Sequence, residues 1–540
     1  MNQRFQLPDI PEAEQTPLVK SLLALLEQFA ERLQQQDEEI AYLKDEINIL
    51  KGEKKRPQFK PSKMDKKTND DDDDEPKGTA PKKRPGSSKR SKKKTLKIHQ
   101  TKVIQPNETI PEGSRFKGYR DFVVQDLVID THNTHYKLAR WQTPDGSYLT
   151  GQLPANLRKR HFGSQLISYV LYQHHHCQTT QPLLLEQLRE WGVDISAGQI
   201  ENLLTSNQDI FHHEKDDLLQ AGLKASSYIT VDDSGARHKG KNGFVTQMGN
   251  ELFAWFSSTQ SKNRINFLEL LRAGKQDYVL TEAAILYMRK QRLPKVSLDK
   301  LQGHLTHTFR DQKSWQAFLT KLSFTNKRHQ RIATEGALLG SVLQYGMCDD
   351  LVIVSDDAGQ FNVLLHGLCW IHTERLIHKL LPLNENHREA LNRVREQIWD
   401  LYRALKVYKL APEPLEKQKL DHQFDEIFTQ QTSFATLNQA LMRINKNKAE
   451  LLLVLERPEI PLHTNGSETD IRDYVKKRKV SGGTRSDEGR RCRDTFISLK
   501  KTCRKLKISF WKYLKTRLEV DESEVEYLPD LIMARATIKG

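Results

Sequence analysis

The longest regular pattern of apolar positions comes early in the chain. Leu22, Leu26, Phe29, Leu33, Gln36, Ile40, Leu43, Ile47 and Leu50 alternate in steps of four and three. That spacing keeps one seam on one helix face and calls for a partner helix to bury it. It predicts a coiled coil over 14–52, with the polar Gln36 fixing register and dense flanking charge favouring self-association over packing on the same chain. Beyond Gly52 the periodicity stops. Residues 53–104 carry basic clusters, the acidic run Asp70 to Glu75, several prolines and the stretch Lys89 to Lys94, a composition that cannot bury enough apolar surface to fold and reads as a charged linker.

Short strand-like runs follow. FVVQDLVI from Phe122, HYKLARWQ from His135 and SYLTGQL from Ser147, with a turn at Pro144-Asp145-Gly146, predict a small β subdomain over 105–160. Helical spacing then takes over across 161–222. Helices are expected at Gln165 to His174 and Leu183 to Trp191, with a turn at Gly192 and an S-x-x-Q capping box at Ser196 to Gln199 opening a helix through Leu204. This is helix-turn-helix grammar. The last helix, AGQIENLL, carries no Arg or Lys, so three packed helices without DNA contact weigh equally with a DNA-reading unit.

Next come unbroken apolar runs, the mark of strands buried on both faces. SYITV leads to Asp232 and LVIV leads through Ser355 to Asp356; between them GFVTQMG and ELFAWFSST predict a hairpin around Asn250, then a helix at Asn266 to Leu271 and a mainly helical stretch to Gly346. The expected core runs over 223–384, is interrupted by an α-helical insertion at 385–456, resumes at 457–520 and leaves a tail at 521–540.

Composition narrows the function. The chain of 540 residues is several domains long, 37% hydrophobic, and carries 85 Lys and Arg against 70 Asp and Glu, a net charge of +15. That excess points to a polyanionic partner, nucleic acid first. No run approaches the roughly 18 apolar residues of a membrane span, and MNQRFQLPDI lacks a signal-peptide core, so a cytoplasmic protein with no membrane partner is expected. Five scattered cysteines without C-x-x-C spacing indicate neither disulfides nor a four-cysteine zinc site.

The chemistry concentrates in three acids. Asp232 and Asp356 close strands and Glu468 opens a helix, and carboxylates so placed in a basic chain suit a nuclease fold that holds two Mg²⁺ against a phosphodiester. Each has a plainer alternative: Asp233 and Asp357 adjoin the first two as common loop caps, and Glu468 follows Asn465 by three residues, as in a capping box, with Arg472 one turn on. From Arg472 to Arg517 there are seventeen Lys or Arg against four Asp or Glu.

The segments VDDSGARHKG, VSDDAGQFNVLLHGLCWIH and NGSETDIRDYVKKRKVSGGTRSDEGRR resemble the three DDE blocks of the insertion sequence 66 family of transposases, within a likeness covering residues 150–515. The resemblance implies an α/β fold with a ribonuclease-H-like catalytic core and α-helical insertions. It implies a DDE transposase that binds transposon ends, cleaves by two-metal-ion hydrolysis and joins the 3′-OH to target DNA. Asp232, Asp356 and Glu468 would be catalytic and would ligate two Mg²⁺, with Mn²⁺ as a substitute; the blocks favour Asp232 over Asp233 and Asp356 over Asp357. Cys369, Trp370, His372 and Arg375 match a C-W-x-H-x-x-R signature, which makes His372 and Arg375 site-supporting candidates. Arg472, Lys476, Lys477, Arg478, Lys479, Arg485, Arg490, Arg491 and Arg493 become DNA-facing.

The implied partners are terminal inverted repeats, target DNA, further copies of the chain through the coiled coil, and accessory proteins encoded by the element, in a prokaryotic cytoplasm at the nucleoid. Two features depart from the family pattern. The cysteine-rich zinc module expected before the core has no counterpart, since no cysteine precedes Cys177 and His132 and His135 are too few, and Thr469 stands where an Arg usually follows the Glu. The rivals are another ribonuclease-H-like nuclease or resolvase, and a catalytically retired transposase that only binds DNA.

Overall fold

The computed structural model describes residues 98–107, 110–120, 122–154, 161–344, 350–520 and 524–539, with Thr16 and Val19. The predicted coiled-coil seam and most of the charged linker lie outside the described residues. Two units divide at Gln125 and Asp126, and the described residues of the first carry no helix or strand beyond Val19.

The second unit opens with a hairpin, β1 (Arg140–Gln142) and β2 (Tyr148–Thr150), closed by the predicted turn, where Thr143 N–H donates to the Ser147 carbonyl at 2.9 Å. The strand expected at Phe122 to Ile129 does not form. Among the described residues no strand lies beside this run to take its amide hydrogen bonds, and Phe122 and Val128 are 86% and 88% exposed.

Helix α1 (Ser164–Leu171) runs into a wide π turn, Tyr172–His176, and is followed by α2 (Gln181–Glu190), α3 (Ala197–Thr205) and α4 (Asp209–Lys224). The capping box forms as the sequence demands: Gln199 N–H donates to Ser196 Oγ at 3.2 Å and Ser196 N–H to Gln199 Oε1 at 2.8 Å. Ile200 and Leu204 bury the inner face of α3.

The strands β3 (Tyr228–Gly235), β4 (Phe244–Gly249) and β5 (Ala254–Thr259) form an antiparallel meander, with the β4–β5 turn at Asn250. Helix α5 (Arg264–Leu271), the short strand β6 (Tyr278–Val279), α6 (Glu282–Lys290), α7 (Lys295–Gln302), β7 (Thr308–Phe309), α8 (Gln312–Lys321) and α9 (Lys327–Gln344) lead to β8 (Val352–Ser355) and β9 (Leu365–Leu368). The main sheet is mixed, in the order β5-β4-β3-β8-β9, with β8 and β9 parallel to β3. The pair β6–β7, unforeseen in the sequence, is only two residues per strand.

Alternation along the central strands covers both faces. Ile229, Val231 and Ile353 join a cluster with Phe253, Phe267 and Phe361, while Val352, Val354 and Leu368 join the opposite cluster. That second cluster is supplied by α10 (Trp370–His378), α11 (Glu385–Leu410), α12 (Pro414–Thr429), α13 (Ala435–Asn445) and α14 (Lys448–Leu451). Within it Trp370 is buried and donates from Nε1 to the Leu451 carbonyl at 3.0 Å.

The chain returns as α15 (Asn465–Ser481) and α16 (Asp487–Lys505), then α17 (Phe510–Arg517) and α18 (Leu528–Lys539). Helix α16 covers the outer edge of β5. The amides of Ala254, Phe256 and Ser258 donate to Thr502 Oγ1, Ser498 Oγ and Asp494 Oδ2 at 3.1, 2.9 and 2.7 Å. Alternate strand residues repeat every ~6.8 Å, and one helix turn of four residues rises ~6 Å. The 494, 498, 502 ladder therefore matches the edge and removes a free strand template.

Candidate active site: three carboxylates at the sheet end

The β3–β8 register pairs Thr230 with Val354 in parallel. Continued two residues, it brings Asp232 level with Asp356 on adjacent central strands; Asp356 follows the end of β8 as expected, but Asp232 lies within β3, which its pairing with β4 carries on to Gly235. Glu468 enters from the first turn of α15, which is fastened to β3 by Ser467 Oγ donating to Thr230 Oγ1 at 2.6 Å. The helix starts after Thr464 without a side-chain cap, and the Glu468 carboxylate faces α10 instead of capping, so the capping-box alternative falls.

The three acids share one field. Asp232 is held up to about 6, first by burial and then by the carboxylates of Asp356 and Glu468, against the pull of the Asp233 amide that donates to its Oδ1 at 2.7 Å. The neighbouring acids are committed elsewhere. Asp233 points to the other strand face and accepts from Thr246 Oγ1 at 2.5 Å and Gln360 Nε2 at 3.1 Å; Asp357 pairs with Arg443 at 2.6 Å. Asp356 also acts as a loop cap, because its Oδ1 accepts the Ala358 amide at 3.2 Å.

His372 and Arg375, one turn apart on α10, reach the third acid: Arg375 Nη1 lies 3.3 Å and His372 Nε2 3.6 Å from Glu468 Oε1. His372 is raised first by its hydrogen bond with the Cys369 thiol, helped by the charge of Glu468, although burial opposes it. Burial pushes the Cys369 thiol up, but His372 outweighs it and the net shift is downward.

The donor set is all oxygen from carboxylates, which suits a hard divalent cation. The spacing is wider than a closed site. Among the described residues no three His, Cys, Asp or Glu side chains come together closely enough to hold a metal ion.

The basic block divides by location. Lys477 is buried and donates from Nζ to the His174 carbonyl at 2.8 Å, Arg478 holds the Gly235 carbonyl, and Arg490 pairs with Asp487 at 3.1 Å. Arg472, Lys476, Lys479, Arg485 and Arg491 are exposed. Gly482, at φ +68°, makes the turn between α15 and α16, and a side chain at Gly483 would strike the Arg237 carbonyl at 2.4 Å. There His238 and Lys239, from the loop after β3, both grip Asp487 at the start of α16.

Three supports escaped the sequence: Thr230, Ser467, and the buried Ser355, whose Oγ donates to the Asp356 carbonyl at 2.6 Å and meets His366 Nε2 at 2.8 Å. A lone hydroxyl beside an acid carries no periodic signal. No helix among the described residues is long and apolar enough to cross a membrane, and Cys177, Cys369, Cys492 and Cys503 are free thiols.

The class so defined is a basic α/β protein presenting three acids from two central strands and a helix. Comparison with known proteins agrees. The sequence profile of the Transposase IS66 family matches residues 298–491, which include Asp356 and Glu468. Uncharacterized protein y4jO of Sinorhizobium fredii is 44% identical over 321 residues, 59% of this chain and the whole of that protein. The chain belongs to the IS66 family of transposases.

Proposed function

We propose that the protein cuts DNA at the ends of its element and transfers the freed 3′-OH to target DNA, with Asp232, Asp356 and Glu468 as the catalytic acids. The observation that carries this is the placement of three carboxylates, one from each block: Asp232 and Asp356 level on adjacent parallel strands, and Glu468 on the helix that Ser467 fastens to β3. The strand order β5-β4-β3-β8-β9, antiparallel then parallel, supports a ribonuclease-H-like core.

Asp232, Asp356 and Glu468 would hold Mg²⁺, or Mn²⁺ in its place, which when bound polarises the phosphodiester and lowers the pKa of an attacking water or hydroxyl. The chain's own part is placement. Strand β3 fixes Asp232, the end of β8 fixes Asp356, Ser467 fixes the start of α15, and Arg375 and His372 balance Glu468 until DNA arrives. Basic side chains on α15 and α16 bind phosphates next to the acids and orient the strand, acting by position and charge.

The test is cleavage of duplex DNA carrying the element's ends in Mg²⁺ by single Ala variants of the three acids. Loss of cleavage with retained DNA binding is expected for each. Cleavage surviving in Asp232→Ala but lost in Asp233→Ala would move the role to the neighbour, and wild-type binding without cleavage would favour a retired transposase.

A further inference from the structure

A second feature lies away from the three acids. Between the π turn, α2 and α3 on one side and α15 and α16 on the other is a cleft of about 690 Å³, a size ordinary for a small-molecule ligand. Its lining gathers Lys477, Arg493 and Lys500. Lys477 and Lys500 are only 7% and 9% exposed.

The cations are held by neutral groups. Lys477 Nζ donates to the His174 carbonyl at 2.8 Å and Lys500 Nζ to the His175 carbonyl at 3.3 Å; Arg493 donates to the Gly482 carbonyl at 3.3 Å and Ser481 Oγ at 3.2 Å. The π turn is what offers those histidine carbonyls at its C-terminal end, where no further turn of helix claims them. Carbonyls satisfy N–H groups without cancelling their charge. Two acids also line the cleft: Asp473 accepts from Lys501 at 2.7 Å and partly offsets the charge of Lys500, and Glu201 accepts from Gln181, which sets these three cations against two acids.

Burial first, and then the charges of Arg493 and Lys500, lower Lys477 to about 7. His174 is lowered to about 3, chiefly by burial, and so adds no charge of its own near neutrality. A recessed, water-accessible space crowded with like charges is stabilised by an anion.

We propose that this cleft takes the phosphate of an unpaired nucleotide at the end of a DNA strand, with Lys477, Arg493 and Lys500 as its cation set. The assignment of DNA rests on the transposase reading above. Recess decides the form of the ligand. A duplex is a rigid cylinder whose phosphates reach side chains that project from a surface, whereas a single strand can bend one phosphate into a cleft. The exposed Lys476 and Arg491 on the outer faces of the same helices suit the duplex instead.

The experiment measures binding of four probes to the full chain in EDTA: a short single strand with a 5′-phosphate, the same strand with a 5′-hydroxyl, a blunt duplex of that sequence, and inorganic phosphate. The 5′-phosphate should tighten single-strand binding at least tenfold, and inorganic phosphate should compete for that margin. Lys477→Met, close in shape, should abolish the margin while duplex affinity stays within twofold. Val480→Glu provides a second variant, because Val480 lines the cleft yet is 54% exposed, so a carboxylate there opposes the anion without entering the core. An unchanged phosphate margin in folded Val480→Glu, or an equal loss on duplex, overturns the proposal. Failure of the wild type to bind any DNA would overturn the transposase reading together with it.

Discussion

Ser467 Oγ stands 2.6 Å from Thr230 Oγ1. The bond is buried on both sides, with 1% and 7% exposure, and Thr230 passes its own proton to the Gly249 carbonyl at 3.0 Å. One residue beyond Ser467 is Glu468, and two beyond Thr230 is Asp232, so a single hydroxyl pair sets the distance between acids that are 236 positions apart in the chain.

Ser467→Ala should therefore cost more in rate than in stability. Losing one buried hydrogen bond is worth about 1 kcal/mol, which a thermal melt would register as a small shift. The turnover number for cleavage should fall at least tenfold with little change in DNA affinity. Thr230→Val should do the same, and the double variant should be no worse than either single. Additive losses would show that the two hydroxyls act separately.

Asp232 should trade stability for chemistry. Its carboxyl rises from 3.8 to about 6 on folding, so the folded state binds the proton more tightly than the unfolded one. The sign follows: the contribution to stability is intact below about pH 4, is lost as pH climbs towards 6, and stays lost above it. Asp232→Asn in EDTA should thus raise the melting temperature at pH 7. The gain is worth up to about 3 kcal/mol, because each tenfold change in proton affinity corresponds to ~1.36 kcal/mol. It should shrink as the pH falls from 6 to 4. A gain that is independent of pH would assign it to packing.

Arg375 and a divalent cation compete for the same oxygen, Glu468 Oε1. Arg375→Ala should lower the Mg²⁺ concentration needed for half of the Mg²⁺-induced rise in melting temperature, by severalfold, and a cleavage assay should show the rate impaired even at saturating Mg²⁺. If the midpoint rises instead, the guanidinium is holding Glu468 in its ligating position.

Much of this site was legible because buried central strands write themselves as unbroken apolar runs. SYITV and LVIV announced β3 and β8; Asp356 directly follows the end of β8, whereas β3 runs three residues past Asp232 to Gly235. The choice of Asp232 over Asp233 has a structural counterpart in the strand's period of two, which sends Asp233 to Thr246 and Gln360. Glu468 was harder, since helix position alone fitted a cap; only α10, distant in sequence, explains where its carboxylate turns. The weak strand at Phe122 misled because β-branched composition describes a chain that could pair, not one that has a partner. The depth of Lys477 was not legible. Its place in a basic run says nothing of burial, and the carbonyl that holds it comes from His174, 303 residues earlier.

The N-terminal seam predicts assembly. Removing residues 1–52 should leave a folded core and reduce the number of subunits seen by light scattering in the absence of DNA. An unchanged subunit number would mean that the seam packs within one chain.

The outer faces of α15 and α16 should carry the sequence-independent part of DNA affinity. Lys476 and Arg491 are exposed, and Arg490 has as its partner Asp487, itself 58% exposed. A pair so open to water holds its arginine only weakly, so a DNA phosphate can displace the carboxylate. Changing Lys476, Arg490 and Arg491 together to Gln should flatten the slope of log affinity against log salt on duplex DNA by roughly 0.9 for each phosphate that is no longer neutralised. Affinity for random and element-end duplex should fall alike, because phosphate contacts position a helix without reading its bases. The cleft cations give the internal control: Lys477→Met, recessed behind the same helix, should leave this slope unchanged. A triple variant that keeps the wild-type slope would place duplex binding on another face, and one that loses only its preference for element ends would make these side chains base readers.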